Sequence, residues 1–411
     1  MRRINLFLIS LAFFTFSLET AAVEFPEAEV LMFSNLKADE CVAAGKSAVY
    51  FFSLAEGGSI THRIEGAFIL EPSPILSPDK NTLAVISDNG QIEPELVLIN
   101  CQTREALRFS IPQHPTAWVW DPLFPRVICA VNGRLLRMNV QNGTTEEILS
   151  DIRRPIQSLT VSPSGRFLRI AQTIPEFSPI IAYQNTIFDM KNSSLRAEFP
   201  PGLDGESVWL DNRRLAVIAG KGEPDSFVTI LKLDKEGVPL VPETVYRWIA
   251  QTGPSSEYFH LELSPAGNRL AVAEKVNSPV DFYGENAEYY TPWIPCFTSL
   301  DQRAAMKIYH HDSWPAFAWS PDGARYVWIL HRIFAKPGYN MPPRLQGLKS
   351  DYAVIVHSET QPFYKIRNSL PKPIFISQAP VTQVCWNRDG NRIILALASE
   401  SGTKIRILDV R

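Results

Sequence analysis

The chain has 411 residues, with 40 Lys and Arg against 43 Asp and Glu, and 45% of it is hydrophobic. That apolar fraction excludes a disordered chain, 21 Gly and 32 Pro are too few for a collagenous one, and a net charge of −3 gives nucleic acid no electrostatic footing. Length alone suggests two or three domains, unless the chain repeats.

Residues 1–22 read as a secretory signal peptide. Arg2 and Arg3 precede an apolar run over 4–18, and Thr20 and Ala22 are the small residues ahead of a cut before Val23. The run is short for a membrane span, so an uncleaved anchor is the lesser reading. No later segment reaches 18 uninterrupted apolar residues, so no stable membrane insertion is expected after cleavage, and the expected location is periplasmic or secreted. The five cysteines, Cys41, Cys101, Cys129, Cys296 and Cys385, show no zinc spacing. In an oxidising compartment they allow two pairs with one left over. Cys129 and Cys385 sit in apolar strand-like runs, where a thiol packs as a small hydrophobe.

From residue 68 onward a phrase recurs. It reads LSPDKNTLAVIS from Leu76, VSPSGRFLRIAQ from Val161, LSPAGNRLAVAE from Leu263 and WSPDGARYVWIL from Trp319, with a weaker copy, WNRDGNRIILAL, from Trp386. Two degenerate copies, WDPLFPRVICAV from Trp120 and WLDNRRLAVIAG from Trp209, bring the count to seven. Anchored on Ser77, Asp121, Ser162, Leu210, Ser264, Ser320 and Asn387, the intervals are 44, 41, 48, 54, 56 and 67 residues. Pro fixes φ, Asp or Ser bonds back to the backbone, and Gly supplies a positive φ, so each phrase predicts a tight hairpin between two buried strands. A third strand follows in most repeats (ELVLIN, RLLRMNV, FVTILKL, AVIVHS, KIRILDV) and in several a short fourth. Short antiparallel strands in four-stranded units predict an all-β propeller of seven blades. AVYFFSL at 48–54 and SITHRI at 59–64 predict two outer strands, and AEVLMFS at 28–34 another, which leaves an eighth blade open. Residues 23–67 would then complete or close the ring, because the last repeat stops after its third strand.

The Ser-Pro-Asp-Gly turn followed by a β-branched strand resembles the blades of TolB-like propellers, the WD40-like PD40 repeat, over roughly residues 68–411. TolB itself is a poorer match, since it carries an α/β domain before its propeller. The resemblance implies a rigid disc whose loop faces carry function.

If the recurrent turns join the first and second strands (A and B) of each blade, the B–C loops and the D–A connections share the opposite face. Two long segments fall there. The one at 278–305 carries Phe282, Tyr283, Tyr289, Tyr290, Trp293 and Phe297 among acidic residues; the one at 332–351 carries Arg332, Lys336, Arg344 and Lys349. Phe282, Tyr283, Tyr289, Tyr290, Trp293, Arg332, Lys336 and Arg344 are therefore the candidate ligand- or partner-binding residues. His114, His260, His310, His311 and His331 gather on the same face and are the candidate metal ligands. The recurrent serines lack a nucleophile elbow and read as turn residues. The first functional reading is a non-enzymatic propeller that binds a protein, peptide or glycan without a cofactor, and no catalytic residue is named. The alternative is a polysaccharide-active lyase or hydrolase with a His-bound divalent metal, since oligogalacturonate lyases resemble this chain in carrying PD40-like blades.

Overall fold

The computed structural model describes residues 23–26, 30–37, 39–55, 59–88, 90, 93–150, 152–174, 182–219, 227–240, 243–246, 256–276, 293–299, 305–307, 317–331, 352–358 and 373–410. Among them there is no helix. After a short β1 (Val23–Phe25), the strands assemble into antiparallel sheets in chain order. Sheet 1 holds β2 (Val30–Lys37), β3 (Glu40–Gly45), β4 (Ala48–Ser53) and β5 (Ser59–Glu65). Sheet 2 holds β6 (Phe68–Ile69) and β7 (Ile75–Leu76), both paired with β8 (Thr82–Ser87), then β9 (Glu95–Asn100) and β10 (Ala106–Ser110). Sheet 3 holds β11 (Ala117–Trp120), β12 (Arg126–Val131), β13 (Arg134–Asn139) and β14 (Thr145–Leu149). Sheet 4 holds β15 (Ile156–Val161), β16 (Phe167–Ile174), β17 (Ala182–Asp189) and β18 (Ser194–Glu198). Sheet 5 holds β19 (Ser207–Trp209), β20 (Arg214–Ala219), β21 (Phe227–Lys232) and β22 (Glu243–Tyr246). Sheet 6 holds β23 (Ser256–Leu263), β24 (Arg269–Val276), β25 (Trp293–Ser299) and β26 (Ala305–Lys307). Sheet 7 holds β27 (Phe317–Trp319), β28 (Arg325–His331), β29 (Tyr352–Ser358) and β30 (Phe375–Ser377). Sheet 8 holds β31 (Val381–Trp386), β32 (Arg392–Ser399) and β33 (Gly402–Asp409), with β1 paired antiparallel to β33 as its fourth strand.

The seven anchors fall at the A–B turns of sheets 2 to 8. In most, the anchor N–H donates to the carbonyl five residues on, as in Ser77 to Thr82, Ser162 to Phe167, Ser264 to Arg269 and Ser320 to Arg325, each at 2.8 Å. The anchor side chain accepts the returning N–H: Ser162 Oγ from Phe167 at 3.0 Å, Ser320 Oγ from Arg325 at 2.8 Å, Asn387 Oδ1 from Arg392 at 2.8 Å. Gly165, Gly267, Gly323 and Gly390 take φ of 68–71°, and Lys80 takes the same place at φ 61°. The serines are therefore consumed by turn geometry, as their recurrence suggested. Sheet 1 carries no such phrase at its own A–B turn, so the repeat alone does not reveal it.

Burial follows from stacking. The middle strands are apolar on both faces, as in TLAVIS (β8) and RVICAV (β12), because each sheet is covered on both sides. The fourth strands are polar and exposed, as in SITHRIE (β5) and ALRFS (β10). Apolar clusters fill the seams between sheets 1 and 2, 2 and 3, 3 and 4, 4 and 5, 5 and 6, and 7 and 8. A further cluster, with Phe25, Tyr50, Phe52, Ile394 and Ile405, joins sheet 8 to sheet 1. First strands of neighbouring sheets touch from sheet 2 through sheet 6 and between sheets 7 and 8, and β31 touches β2. Phrase tryptophans reach back to the preceding sheet: Trp120 Nε1 donates to Ile75 O at 3.2 Å, Trp209 Nε1 to Thr160 O at 3.2 Å and Trp386 Nε1 to Ala318 O at 3.0 Å.

One expectation is corrected here. The segment 278–305 is not one long loop, because 293–299 form β25, paired with β24 from Arg269↔Ser299 to Lys275↔Trp293. Pro295, which cannot donate to the ladder, hides this strand in the sequence pattern.

Candidate functional site

Strand order puts the A–B turns on one face and the B–C and D–A segments on the other. On that second face, His114 lies in the connection between sheets 2 and 3, half exposed, with Nε2 3.7 Å from Oδ2 of Asp88 at the end of β8. His260 lies in β23 where the register shifts between Phe259 and Leu261, and His331 is the last residue of β28; the side chains of both lie outside the described set. Trp293 opens β25 and is likewise described only in its backbone. Phe282, Tyr283, Tyr289, Tyr290, Arg332, Lys336, Arg344, His310 and His311 lie outside the described residues. Among the described residues no three His, Cys, Asp or Glu are grouped to hold a metal ion.

A polar cluster lies beneath the same face, in the seam between sheets 4 and 5. Arg169 on β16 is 2% exposed. Its Nε donates to Asn185 Oδ1 and its Nη1 to Ser158 Oγ, both at 2.8 Å, while Nη2 has no partner. Asn185 Nδ2 donates up to the D–A connection, to Leu203 O at 2.9 Å and Gly205 O at 3.3 Å, so the guanidinium lies directly under that connection. Thr160 Oγ1, Thr173 Oγ1 and Ser207 Oγ, on the neighbouring strand stretches of this seam, are also buried without a partner. Such a concentration of unmet hydrogen-bonding capacity is unusual in a native interior.

Electrostatics sharpen the picture. Burial lowers Arg169 to about 10, opposed by Glu206 and Tyr183, so it stays a cation at neutral pH. Burial raises the Tyr183 phenol; Glu206 adds to this and Arg169 opposes it. No ion pair to Arg169 is found among the described residues. On the opposite side of sheet 4, toward sheet 3, Arg154 Nη1 donates to Gln184 Oε1 at 2.5 Å, and Gln172 Nε2 donates to Arg154 O at 3.3 Å. Arg153 is exposed beside it. Alternation along β16 and β17 puts Arg169 and Asn185 on the sheet 5 side of sheet 4, and Gln172 and Gln184, with Arg154, on its sheet 3 side, so Arg154 and Arg169 flank sheet 4; among the described residues none of Arg153, Arg154 and Arg169 has an ion-pair partner, an arrangement suited to anionic groups.

The sequence reading missed this cluster, although a signal was present. Seven residues past the anchor, four phrase copies carry Ala84, Ala271, Val327 and Ile394; the copy from Val161 carries Arg169. A charge at a position that is otherwise core marks a buried polar site.

No family model matches the chain, and no curated protein sequence matches it, so the likeness to TolB-like repeats carries no family assignment. Solved structures do match. An oligogalacturonate lyase from Vibrio parahaemolyticus aligns with a TM-score of 0.54 at 9% identity, covering 93% of this chain and 97% of its own. An oligogalacturonate lyase in complex with manganese gives a TM-score of 0.53 at 9% identity, covering 93% and 96%. Hydrazine synthase from Kuenenia stuttgartiensis gives 0.50 at 10% identity, covering 92% and 94%. The chain therefore has a β-propeller fold. The manganese complex corrects the expectation that such a propeller works without a cofactor. The described residues of this chain do not themselves compose a metal site.

Proposed function

We propose that the protein is an extracytoplasmic β-propeller that acts on an acidic polysaccharide at its B–C/D–A face, as a lyase. The observation that carries this reading is the set Arg153, Arg154 and Arg169 around sheet 4, with Arg154 and Arg169 on its two sides and no ion pair to any of the three among the described residues. Oligogalacturonate lyases are among the solved structures that match, which favours the polysaccharide-active reading over the non-enzymatic one. We count each four-stranded sheet as a blade, which makes eight, and read β1 as the strand that closes the ring.

In an elimination on a uronide, a base removes the proton next to the carboxylate and the glycosidic oxygen leaves from the adjacent carbon. Negative charge builds on the carboxylate, and guanidinium groups aimed at it lower the barrier. The aromatics Phe282, Tyr283, Tyr289, Tyr290 and Trp293 are proposed as sugar platforms, with Arg332, Lys336 and Arg344 as further cations. A divalent metal is part of the reading, with His114, His260, His310, His311 and His331 as the donors to test; no step is assigned to it. Calorimetric titration with a galacturonate oligomer and a neutral galactose oligomer tests the reading. The acidic oligomer should bind, the neutral one should not, and Arg154→Gln should weaken binding about tenfold, or ~1.4 kcal/mol. Equal affinity for both oligomers, or an unaffected Arg154→Gln variant, would remove the reading.

A further inference from the structure

The seam that joins the first complete sheet to the last contains two cysteines. Cys41 is the second residue of β3 and is fully buried in the cluster shared by sheets 8 and 1. Cys385 is the penultimate residue of β31, half-buried, and packs against that same cluster. Alternation along β31 fixes its direction: Val384 and Trp386 face sheet 7, so Cys385 faces sheet 1. Gln383, two residues back, faces the same way and laces the seam. Its Oε1 accepts the Met32 N–H at 2.6 Å, and its Nε2 donates to Met32 O at 3.3 Å.

Height agrees as well as direction. Cys41 lies just past the A–B turn of sheet 1 and pairs with Phe52; Cys385 lies just before the A–B turn of sheet 8 and pairs with Ile394. Phe52 and Ile394 belong to the shared cluster. The other described cysteines occupy other seams, Cys101 between sheets 1 and 2 and Cys129 between sheets 2 and 3. The cysteine spacing in the chain shows none of this, since the two residues belong to opposite ends of it.

We propose that Cys41 and Cys385 form an oxidation site, a disulfide that fastens sheet 1 to sheet 8. With oxidised glutathione as oxidant, the more accessible Cys385 thiolate attacks one sulfur of the reagent and expels one glutathione thiolate. The Cys41 thiolate then attacks the Cys385 sulfur of the mixed disulfide and expels the second. Two thiols lose two electrons and two protons, and one glutathione disulfide becomes two glutathiones. Cys41 is fully buried and out of reach of the reagent, which makes it the resolving group; burial, with Cys385 and Glu40 adding to the effect, also raises its thiol well above its ordinary range, which slows that second step.

The test uses the full chain. After incubation with oxidised glutathione, unreduced peptide mapping should find one cross-linked species containing Cys41 and Cys385, lighter by two hydrogens. Thiol titration in denaturant should fall by two. Oxidation should slow unfolding at least tenfold, and reduction should reverse it. Cys385→Ser should abolish the slowing, whereas Cys101→Ser should leave it. Peptide mapping needs no variant, so a misfolded variant does not spare the proposal. An uncrosslinked pair, persistent mixed glutathione adducts, or Cys41 bridged to another cysteine would each overturn it.

Discussion

Asp189 offers the sharpest test of how the turns within one sheet are held. It ends β17 with a fully buried carboxylate. Oδ2 accepts from Arg166 Nη2 at 3.0 Å, Arg196 Nη2 at 2.9 Å and Asn192 Nδ2 at 2.9 Å, and Oδ1 accepts from the Lys191 N–H at 3.0 Å. Burial by itself would raise its pKa. The hydrogen bonds from Arg166 and Arg196, the Lys191 N–H and the Arg166 charge outweigh that and bring it from 3.8 to about 2. A depressed pKa stabilises the fold above the unfolded-state value and is lost as pH falls through the folded one, so the contribution fades between about pH 4 and about pH 2. The shift corresponds to about 2 kcal/mol at neutral pH. Asp189→Asn keeps the shape and an acceptor for Lys191 but removes the charge. Urea unfolding should show the variant less stable by about 2 kcal/mol at pH 7, with the difference shrinking toward zero as pH drops through that window. A difference that stays constant with pH would refute the argument, because it would come from packing rather than ionisation.

Three further outcomes follow from the seams and turns. Gly323→Ala, at φ 69° with its new Cβ 3.1 Å from Ala266 Cβ, should cost about 1–2 kcal/mol in chemical denaturation, while Lys80→Gly at the equivalent turn position should not destabilise. Phe25→Ala should cost about 3–5 kcal/mol, since Phe25 is fully buried with ring centroids 4.7 Å from Tyr50 and 5.7 Å from Phe52; a loss under about 1 kcal/mol would mean that β1 is not integral to sheet 8. Arg169→Met should cost about 1–3 kcal/mol in the same assay by orphaning Asn185 Oδ1, and adding Asn185→Leu should not recover it, because Leu203 O and Gly205 O then lose their donor.

The turns were legible in the sequence because Ser-Pro-Asp-Gly has a local cause: a fixed φ, a side-chain acceptor and a positive φ in consecutive residues. Sheet 1 was legible only as scattered strands, since its A–B turn uses other residues and nothing local says that Val30–Lys37 and Glu40–Gly45 pair. The pairing of Val23–Phe25 with β33 joins segments far apart in the sequence and leaves no local pattern either. The face was deducible from turn phase, and His114 lies there beside Asp88. Arg169 escaped because a charge in an alternating strand reads as solvent-facing unless it is compared with its counterparts in the other repeats. That comparison is physical: sheets stacked on both sides leave no solvent face for a middle strand.

The central claim, action on an acidic polysaccharide, is tested most directly by incubating the purified protein with polygalacturonate and manganese and following the ultraviolet absorbance of an unsaturated uronide. The account predicts a steady rise that a chelator stops and Arg154→Gln slows. No rise with manganese, magnesium or calcium, from a folded protein, would contradict it.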